Sequence, residues 1–421
     1  MTNSETKNFS QNVSSSYHLE DRDKCNKNTC ANTCNVPKLR FKGYNVEWKK
    51  VRTEEIFENV TIKNKPSLPV LAVTQERGTI LRESCGINIK YENESLKSYK
   101  LVKPGNFIIS LRSFQGGLEY SGLEGIVSPA YTILNNKQSI SYDFFKYYFK
   151  TYNFIKSLNI AVEGIRDGKQ ISYNSFKDIK ITFPNIEEQE KIASFLTLID
   201  KKIEKQKELV ELLKKYKRGL LSAIFSQKLK FKDDNGNDYP AWEEKRLGDI
   251  CKIVGGGTPD TNNVKYWGDD INWFTPTEII KKYADSSNRK ISRLGLLKSS
   301  AKILPIGTVL LTTRATLGEM SILSIEATTN QGFQSLIPVK DEVSSEFIYY
   351  CQPIIKHFCY KYANGSTFLE ISKQTLAKLK LMIPNKDEQN KISDFLSKFD
   401  NKIQQEECIL SYLKTYKKGL L

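Results

Sequence analysis

Histidine is almost missing. The 421 residues hold two, His18 and His357, so one chain cannot supply a three-histidine metal centre. Cysteine is sparse too: Cys25, Cys30, Cys34, Cys85, Cys251, Cys351, Cys359 and Cys408 are too few for a disulfide scaffold and suit a reducing cytoplasm. No apolar run approaches the roughly 18 uninterrupted residues of a membrane-spanning helix, so no membrane partner is expected. Residues 1–16 are polar and lack the apolar centre of a secretory signal. There is no Gly-x-x-x-x-Gly-Lys-Ser/Thr loop, and Gly255-Gly256-Gly257-Thr258-Pro259 lacks the later glycine and lysine of a phosphate fingerprint. An Asx-Pro-Pro-aromatic tetrapeptide, the base-gripping motif of amino-methyltransferases, is also absent. Glu-x-Lys fragments at Glu47–Lys49 and Glu243–Lys245 have no well-spaced acidic partner and read as surface charge.

What is present is a basic, globular composition: 39% hydrophobic, 27% charged, net charge +16. The length suggests two or three domains. The excess lies in residues 37–183 (+9) and 184–230 (+4), whereas residues 1–36 are neutral. A basic folded surface suits a polyanion, nucleic acid above all. The bland alternative is a lysine-rich solvated surface.

The chain is written twice. Residues 184–221, PNIEEQEKIASFLTLIDKKIEKQKELVELLKKYKRGLL, align without a gap on residues 384–421, PNKDEQNKISDFLSKFDNKIQQEECILSYLKTYKKGLL, with 18 identities at an offset of 200. Ile171, Ser172 and Lys180 pair with Ile371, Ser372 and Lys380, and Lys38–Lys42 with Lys228–Lys232. Trp48 in EWKKVR matches Trp242 in AWEEKR. The order is a tail (1–36), a module (37–183), a helix (184–230), a module (231–383) and a helix (384–421).

Each repeated segment carries a heptad seam. In the first copy it runs through Ile192, Leu196, Ile199, Ile203, Gln206, Val210, Leu213, Lys217 and Leu220. In the second it runs through Ile392, Leu396, Phe399, Ile403, Glu406, Leu410, Leu413, Lys417 and Leu420. Pro184, Pro384 and Gly219 are expected to bound the helices. A 38-residue helix is about 57 Å long. So narrow a seam must bury against another helix, and its own duplicate is the nearest, giving an intramolecular coiled coil. A homodimer, or packing of each helix on its own module, would also cover it.

The modules read as α+β. Short β-rich runs, Asn106–Ser110 and Thr308–Thr312, follow the turns Pro104-Gly105 and Pro305-Ile306-Gly307, and helical stretches cover Tyr142–Tyr152 and Glu346–Tyr360. Base edges are read by Arg, Lys, Asn and Gln, and phosphates are held by Lys, Arg, Ser and Thr. Polar loops with those residues are the candidate DNA contacts. In the first module they are Arg77, Arg82, Arg112, Gln115, Arg166, Lys169, Gln170 and Tyr173. In the second they are Thr258, Lys265, Trp267, Thr313, Arg314, Asn330, Gln331, Asn364 and Ser366. Each could equally be ordinary surface, and Trp267 and Trp273 could be core. His18, Cys25, Cys30 and Cys34 offer a Cys3His zinc set, but their spacing fits no familiar knuckle and the polar surroundings read as disorder. No metal or catalytic residue is expected.

Taken together, the doubled PN-x-x-EQ-x-KI-x-x-FL helices ending in YK-R/K-GLL, with NGNDYPAWEEKRLGD, GGGTP…YWGDDINW, TTRATLG, TNQGF and NGST…ISKQTLAKLKLMIP, resemble the specificity subunit of type I restriction–modification enzymes. The resemblance covers residues 37–421, although the first module has no GGTP-like or TNQGF-like stretch. It implies two target recognition domains, each reading half of a split, asymmetric site on double-stranded DNA. It implies an antiparallel coiled coil that spaces them. Two methyltransferase subunits that use S-adenosylmethionine on adenine N6 would dock there, and two restriction subunits that use ATP and magnesium would join. The chain itself would hold no cofactor, be no enzyme and act in the cytoplasm. A helix of about 57 Å exceeds the roughly 34 Å of one DNA turn, as a ruler between half-sites requires. The rivals are a nuclease with an unfamiliar site and a coiled-coil adaptor that binds protein.

Overall fold

The computed structural model describes residues 37, 39–75, 77–85, 93–161, 171–314, 316–363 and 370–421. The chain has two α+β modules and two long helices, Ile186–Phe225 and Lys386–Leu420. It divides into two compact units, residues 1–201 with 415–421, and residues 202–414. Both divisions cut through a long helix, so each unit holds one module and stretches of both helices.

Each module is closed by its own ends. In unit 1, strand Lys49–Arg52 pairs antiparallel with Lys180–Phe183. In unit 2, Glu243–Arg246 pairs in the same way with Lys380–Ile383. The alternation Lys-Ile-Thr-Phe turns Ile181 and Phe183 into the core and leaves Lys180 in water. The expected turns are present: Gly105 (φ 94°) and Gly307 (φ 83°) supply the left-handed residue just before strands Phe107–Ile109 and Val309–Leu311.

The module interiors differ. Unit 1 has a four-stranded sheet, in the order Phe57–Val60, Thr132–Asn136, Phe107–Ile109, Glu119–Tyr120, over an aromatic core. Phe57 packs against Phe107, Phe145, Phe149 and Phe176 with ring centroids 5.4–6.3 Å apart. Unit 2 has a five-stranded sheet, Cys251–Gly255, Gln334–Pro338, Val309–Leu311, Met320–Leu323, Tyr283–Ala284, and a three-stranded one, Arg289–Ile291, Trp267–Phe274, Thr328–Thr329. Its core is largely aliphatic and includes Cys251, Cys351 and Cys359 as free thiols. Burial pushes the Cys251 and Cys359 thiols up to about 12, so they pack as small neutral groups.

The repeated Pro-Asn-x-x-Glu-Gln motif starts each helix and clamps it to its module. Asn185 caps the first turn by accepting from the Glu188 amide at 3.1 Å, and Asn385 does the same for Glu388 at 2.9 Å. Gln189 donates to the Pro184 carbonyl and accepts from the Ser141 amide. Gln389 repeats this with Pro384 and Ser344. Glu188, buried, holds Arg40 through two hydrogen bonds of 2.8 and 2.7 Å and accepts from the Trp48 indole at 3.4 Å. Glu388 accepts from Trp242 at 3.0 Å. Lys230 takes the place of Arg40 and acts on Glu388 only through its charge, while burial raises the Glu388 carboxyl above its usual range.

The helices pair antiparallel. Within unit 2, Gln206 meets Glu406, Lys214 pairs with Glu407 at 2.7 Å, the Tyr216 ring lies 5.7 Å from that of Phe399, and Lys217 pairs with Asp400. Every apolar seam residue of both copies is buried or half-buried. The polar seam positions are also partnered. Gln206 donates to the Glu406 carboxylate at 2.6 Å and to its backbone carbonyl at 3.0 Å. Lys217 reaches Asp400 in unit 2, and Lys417 reaches Asp200 at 2.5 Å in unit 1, the same pair displaced by 200. Each aspartate accepts a module tyrosine: Tyr350 donates to Asp400 at 2.6 Å and Tyr147 to Asp200 at 2.8 Å. The partner lysine lies over the same ring, Lys217 at 5.3 Å from Tyr350 and Lys417 at 5.2 Å from Tyr147.

One boundary differs from expectation. The central helix does not stop at Gly219 but runs on to Phe225. The cost of a helical glycine, about 1 kcal/mol, is outweighed by burial of Ile224 and packing of Leu221 and Phe225 on the unit 2 core. The stop falls at Gln227, whose φ of 57° turns the Lys228 and Leu229 amides back onto the Ala223 carbonyl.

Glu188→Ala takes both carboxylate bonds from a half-buried guanidinium that keeps only the Val46 carbonyl, and should cost about 1.5–3 kcal/mol in urea unfolding. Glu388→Ala leaves only an indole donor unpaired and should cost about 1–3 kcal/mol. The joint replacement Gln206→Leu with Glu406→Leu should raise thermal stability, by about 1–4 kcal/mol, because an apolar pair replaces a polar one in the seam, leaving Lys217 and Lys417 as its polar positions. It should also loosen register and association state, visible as new oligomers in sedimentation. A single stable monomer species would show that this polar pair does not set the register.

Candidate nucleic-acid interface

Two loops of the first module lie side by side. Arg77 is exposed in the turn that joins strands Leu71–Thr74 and Gly78–Leu81, its amide held by Thr74 Oγ1 at 3.2 Å. Arg112 and Gln115 are exposed at the short helix Ser113–Gly116. Gln75 bridges the two by donating to the Arg112 carbonyl at 3.3 Å. Gly116 makes the approach possible: a Cβ there would sit 2.8 Å from the Gln75 side-chain nitrogen. Arg82 is half-buried in the next turn, with its amide bonded to the Val70 carbonyl. Tyr173 turns inward: its hydroxyl donates to the Phe57 carbonyl at 3.0 Å and its ring packs on Phe176. Arg166, Lys169 and Gln170 fall outside the described residues, as do Asn364 and Ser366 of the second module.

In the second module three candidate loops converge. The Gly257 amide donates to the Thr329 carbonyl at 2.9 Å, and the Thr313 amide to the Gly332 carbonyl at 2.8 Å. Thr258 donates through its hydroxyl to Gln331 Oε1, and Asn330 Oδ1 accepts from the Gly332 amide. The glycine run exists for this contact: a Cβ on Gly256 would lie 2.0 Å from the Asn330 carbonyl oxygen, and one on Gly257 2.3 Å from Ser300 Oγ. The Thr313 and Thr329 hydroxyl oxygens are buried there without a hydrogen-bond partner among the described residues. Arg314 pairs with Glu370 at 2.7 Å through Nη2 while its side chain stays 42% exposed, so further guanidinium donors face solvent.

A second polar face adjoins this cluster, because Trp273 donates its indole N–H to the Gly257 carbonyl at 2.9 Å. Trp267 stands edge-on to Trp273 at 5.1 Å and donates to the Asp260 carbonyl at 3.2 Å. The Arg289 guanidinium lies 3.6 Å above the Trp267 ring. Lys265 is exposed beside them. Trp267 therefore has its indole N–H and one face already engaged, and Arg289 is the residue it presents. Arg289 is absent from the sequence-based set. Its only signal is pairing of Arg289 with Trp273 across a strand bend, a contact between residues 16 apart.

The site offers hydrogen bonds and positive charge. Among the described residues no cluster of His, Cys, Asp or Glu could hold a metal ion, and His18, Cys25, Cys30 and Cys34 lie outside them. His357 is exposed on helix Gln352–Tyr362. Lys245 of the second Glu-x-Lys fragment is ion-paired with Glu243 and Glu342 at 3.3 and 2.5 Å.

The chain as a whole is similar to known proteins. The family model described as "Type I restriction modification DNA specificity domain" matches twice, over residues 45–214 and 240–415. The type I restriction enzyme MjaIX specificity subunit of Methanocaldococcus jannaschii is 36% identical over 194 residues, 45% of this chain and 45% of that protein. The EcoR124I/EcoR124II specificity subunit of Escherichia coli is 29% identical over 165 residues, 38% of this chain and 41% of that protein. The chain thus spans about half the length of the curated relatives it matches. Among solved structures, a chain of a type I R-M system assembly superposes with TM-score 0.58 at 17% identity, over 88% of this chain and 96% of that one. The type I S subunit from M. genitalium superposes with TM-score 0.50 at 16% identity, over 91% and 97%. The two matched stretches each join a module to its long helix, the same unit that the repeated clamp builds, and the chain belongs to the type I restriction modification DNA specificity family.

Proposed function

We propose that the chain is the DNA-reading subunit of a type I restriction–modification complex and catalyses nothing itself. Each module reads one half of a bipartite, asymmetric site on double-stranded DNA. The observation that carries this reading is the contrast between frame and loops. The two units repeat their helix caps, their Trp-Glu and glutamine clamps and their Tyr-Asp-Lys contacts, with Lys230 in the place of Arg40 as the exception, yet the polar loops on those frames differ. One scaffold with two reading heads suits two different half-sites. In the first module the reading group is Arg77, Arg112 and Gln115. In the second it is Thr258, Asn330, Gln331 and Arg314, with Arg289 and Lys265 on the adjoining face.

The partners follow from the duplicated helices. Leu209 and Leu212 are 38% and 62% exposed on the central helix, and their mates at offset 200, Ile409 and Tyr412, are 37% and 66% exposed on the other. The same apolar step, one helical turn long, is thus offered twice. Two copies of one partner fit such a repeat, and the methyltransferase subunits, which carry S-adenosylmethionine and methylate adenine N6, are the copies assigned there. Two restriction subunits supply ATP-driven translocation and cleavage. Among the described residues no helix is long and apolar enough to cross a membrane, and the complex is assigned to the cytoplasm with its DNA.

Co-expression with the methyltransferase subunit in an unmethylated host, followed by mapping of N6-methyladenine, should yield one bipartite motif with a fixed gap. Arg314→Ala should relax one half-site, by about 1–3 kcal/mol of base discrimination, and leave the other intact. Equal loss at both halves would mean damage to folding or assembly instead. Leu212→Glu should remove one of two bound methyltransferase subunits in a mass measurement of the complex. Unchanged mass would place their docking elsewhere.

A further inference from the structure

A carboxylate fixes a surface arginine at the expense of its donors, as Glu370 does for Arg314. Arg289 is held differently. Its guanidinium carbon lies 3.6 Å from the centre of the Trp267 ring and 5.5 Å from that of Trp273. Neither contact consumes an N–H. A ring face attracts the cation through its charge, and the five N–H groups lie in the guanidinium's own plane. Among the described residues the Arg289 side chain makes no hydrogen bond and no ion pair, and the residue is exposed.

The platform beneath it is rigid. Trp267 donates its indole N–H to the Asp260 carbonyl at 3.2 Å and stands edge-on to Trp273, which is buried and bonded to the Gly257 carbonyl. The Arg289 backbone faces Trp273 in the strand ladder, and Ser287 Oγ donates to its carbonyl at 2.6 Å. Asp260 and Asp270, near Trp267 in sequence, give their carboxylates to backbone amides, of Asn262 at 3.0 Å and of Arg293 at 3.2 Å. A guanidinium laid on a fixed ring has lost rotamer freedom before any ligand arrives, so a ligand that takes its fork does not meet the ordering cost of a free side chain.

On the assignment of this module as a DNA-reading unit, we infer that Arg289 reads a guanine of the second module's half-site, donating its fork to O6 and N7, and that Trp267 is its positioning residue. Guanine is the base whose major-groove edge offers two neighbouring acceptors to a fork. A phosphate needs charge more than orientation, and a mobile lysine supplies that; Lys265, exposed in the turn just before Trp267, is such a cation. Fixing a planar fork in advance is useful where the acceptors themselves lie in one plane, as they do on a base edge.

The test uses the full chain co-expressed with its methyltransferase subunit, with the N6-methyladenine motif mapped for each variant. Arg289→Ala, a change at an exposed position, should relax one G·C pair of one half-site. Methylation of sites altered at that pair should rise about 10-fold or more relative to the intact site, with the other half-site and the gap unchanged. Arg289→Lys keeps the charge without the planar fork and should relax the same pair, while the salt dependence of binding to a motif duplex keeps its wild-type slope. Trp267→Leu should relax that pair alone; relaxation of every position in the half-site would show a structural role for the ring and overturn its positioning role. An unchanged motif with Arg289→Ala would overturn the guanine contact. So would equal weakening on all sequences with a shallower salt slope, the signature of a phosphate contact. A wild-type complex that yields no motif would remove the DNA-reading assignment and this contact with it.

Discussion

A carboxylate buried at the first turn of each long helix governs how the rest of the chain is built. Glu188 and Glu388 sit where a helix N-terminus already favours negative charge, and each accepts an indole N–H from the strand-bearing start of its module. Because the tryptophan lies near the module's beginning and the glutamate just after its end, one contact closes a loop of about 140 residues. The neighbouring glutamine ties the same turn to a later part of the module, accepting from the Ser141 amide in one copy and the Ser344 amide in the other. Helix and module are therefore ordered together, and the loops hung between the first and last strands inherit a fixed base without contributing to it.

The seam obeys a different constraint. Apolar positions alone would bury equally well in several registers, since a shift by one heptad restores the pattern. The polar positions break that degeneracy. Gln206 finds Glu406, and the lysines find aspartates that are already bound to module tyrosines. A slipped register would leave those groups half-buried and unpaired, which costs more than an apolar mismatch. The tyrosine contacts then carry the register of the helices into each module.

Much of this was legible in the sequence, for reasons that differ by element. The seam and the repeat were readable because the duplicated copies keep the same heptad positions, so that Gln206 and Glu406 already appeared as matched exceptions. The glycine turns before the inner strands were readable because positive φ at Gly105 and Gly307 is a local demand. Gly219 misled, because its local preference is overruled by burial of Ile224 and by packing of Phe225 on Phe347, 122 positions away. Tyr173 looked like a loop contact until its hydroxyl found the Phe57 carbonyl, a partner that no local pattern indicates. Arg289 was invisible, since its position over Trp267 arises only when two strands pair.

The division of labour between frame and loops follows from where polar groups can be left open. In the frame nearly every buried polar atom is spent: the Gln189 and Gln389 amides, the Glu188 carboxylate and the Asp400 carboxylate all have named partners. In the loop cluster of the second module the accounting is incomplete. Thr313 and Thr329 keep buried hydroxyls without partners among the described residues, and Arg314 keeps donors in solvent beyond its pair with Glu370. Unspent hydrogen-bonding capacity destabilises a free protein and is useful only where a ligand completes it. Loops whose ends are fixed by paired caps and clamps can vary with little loss of fold, because neither the caps nor the clamps depend on them. That is the physical condition under which one duplicated scaffold can hold two unlike recognition surfaces.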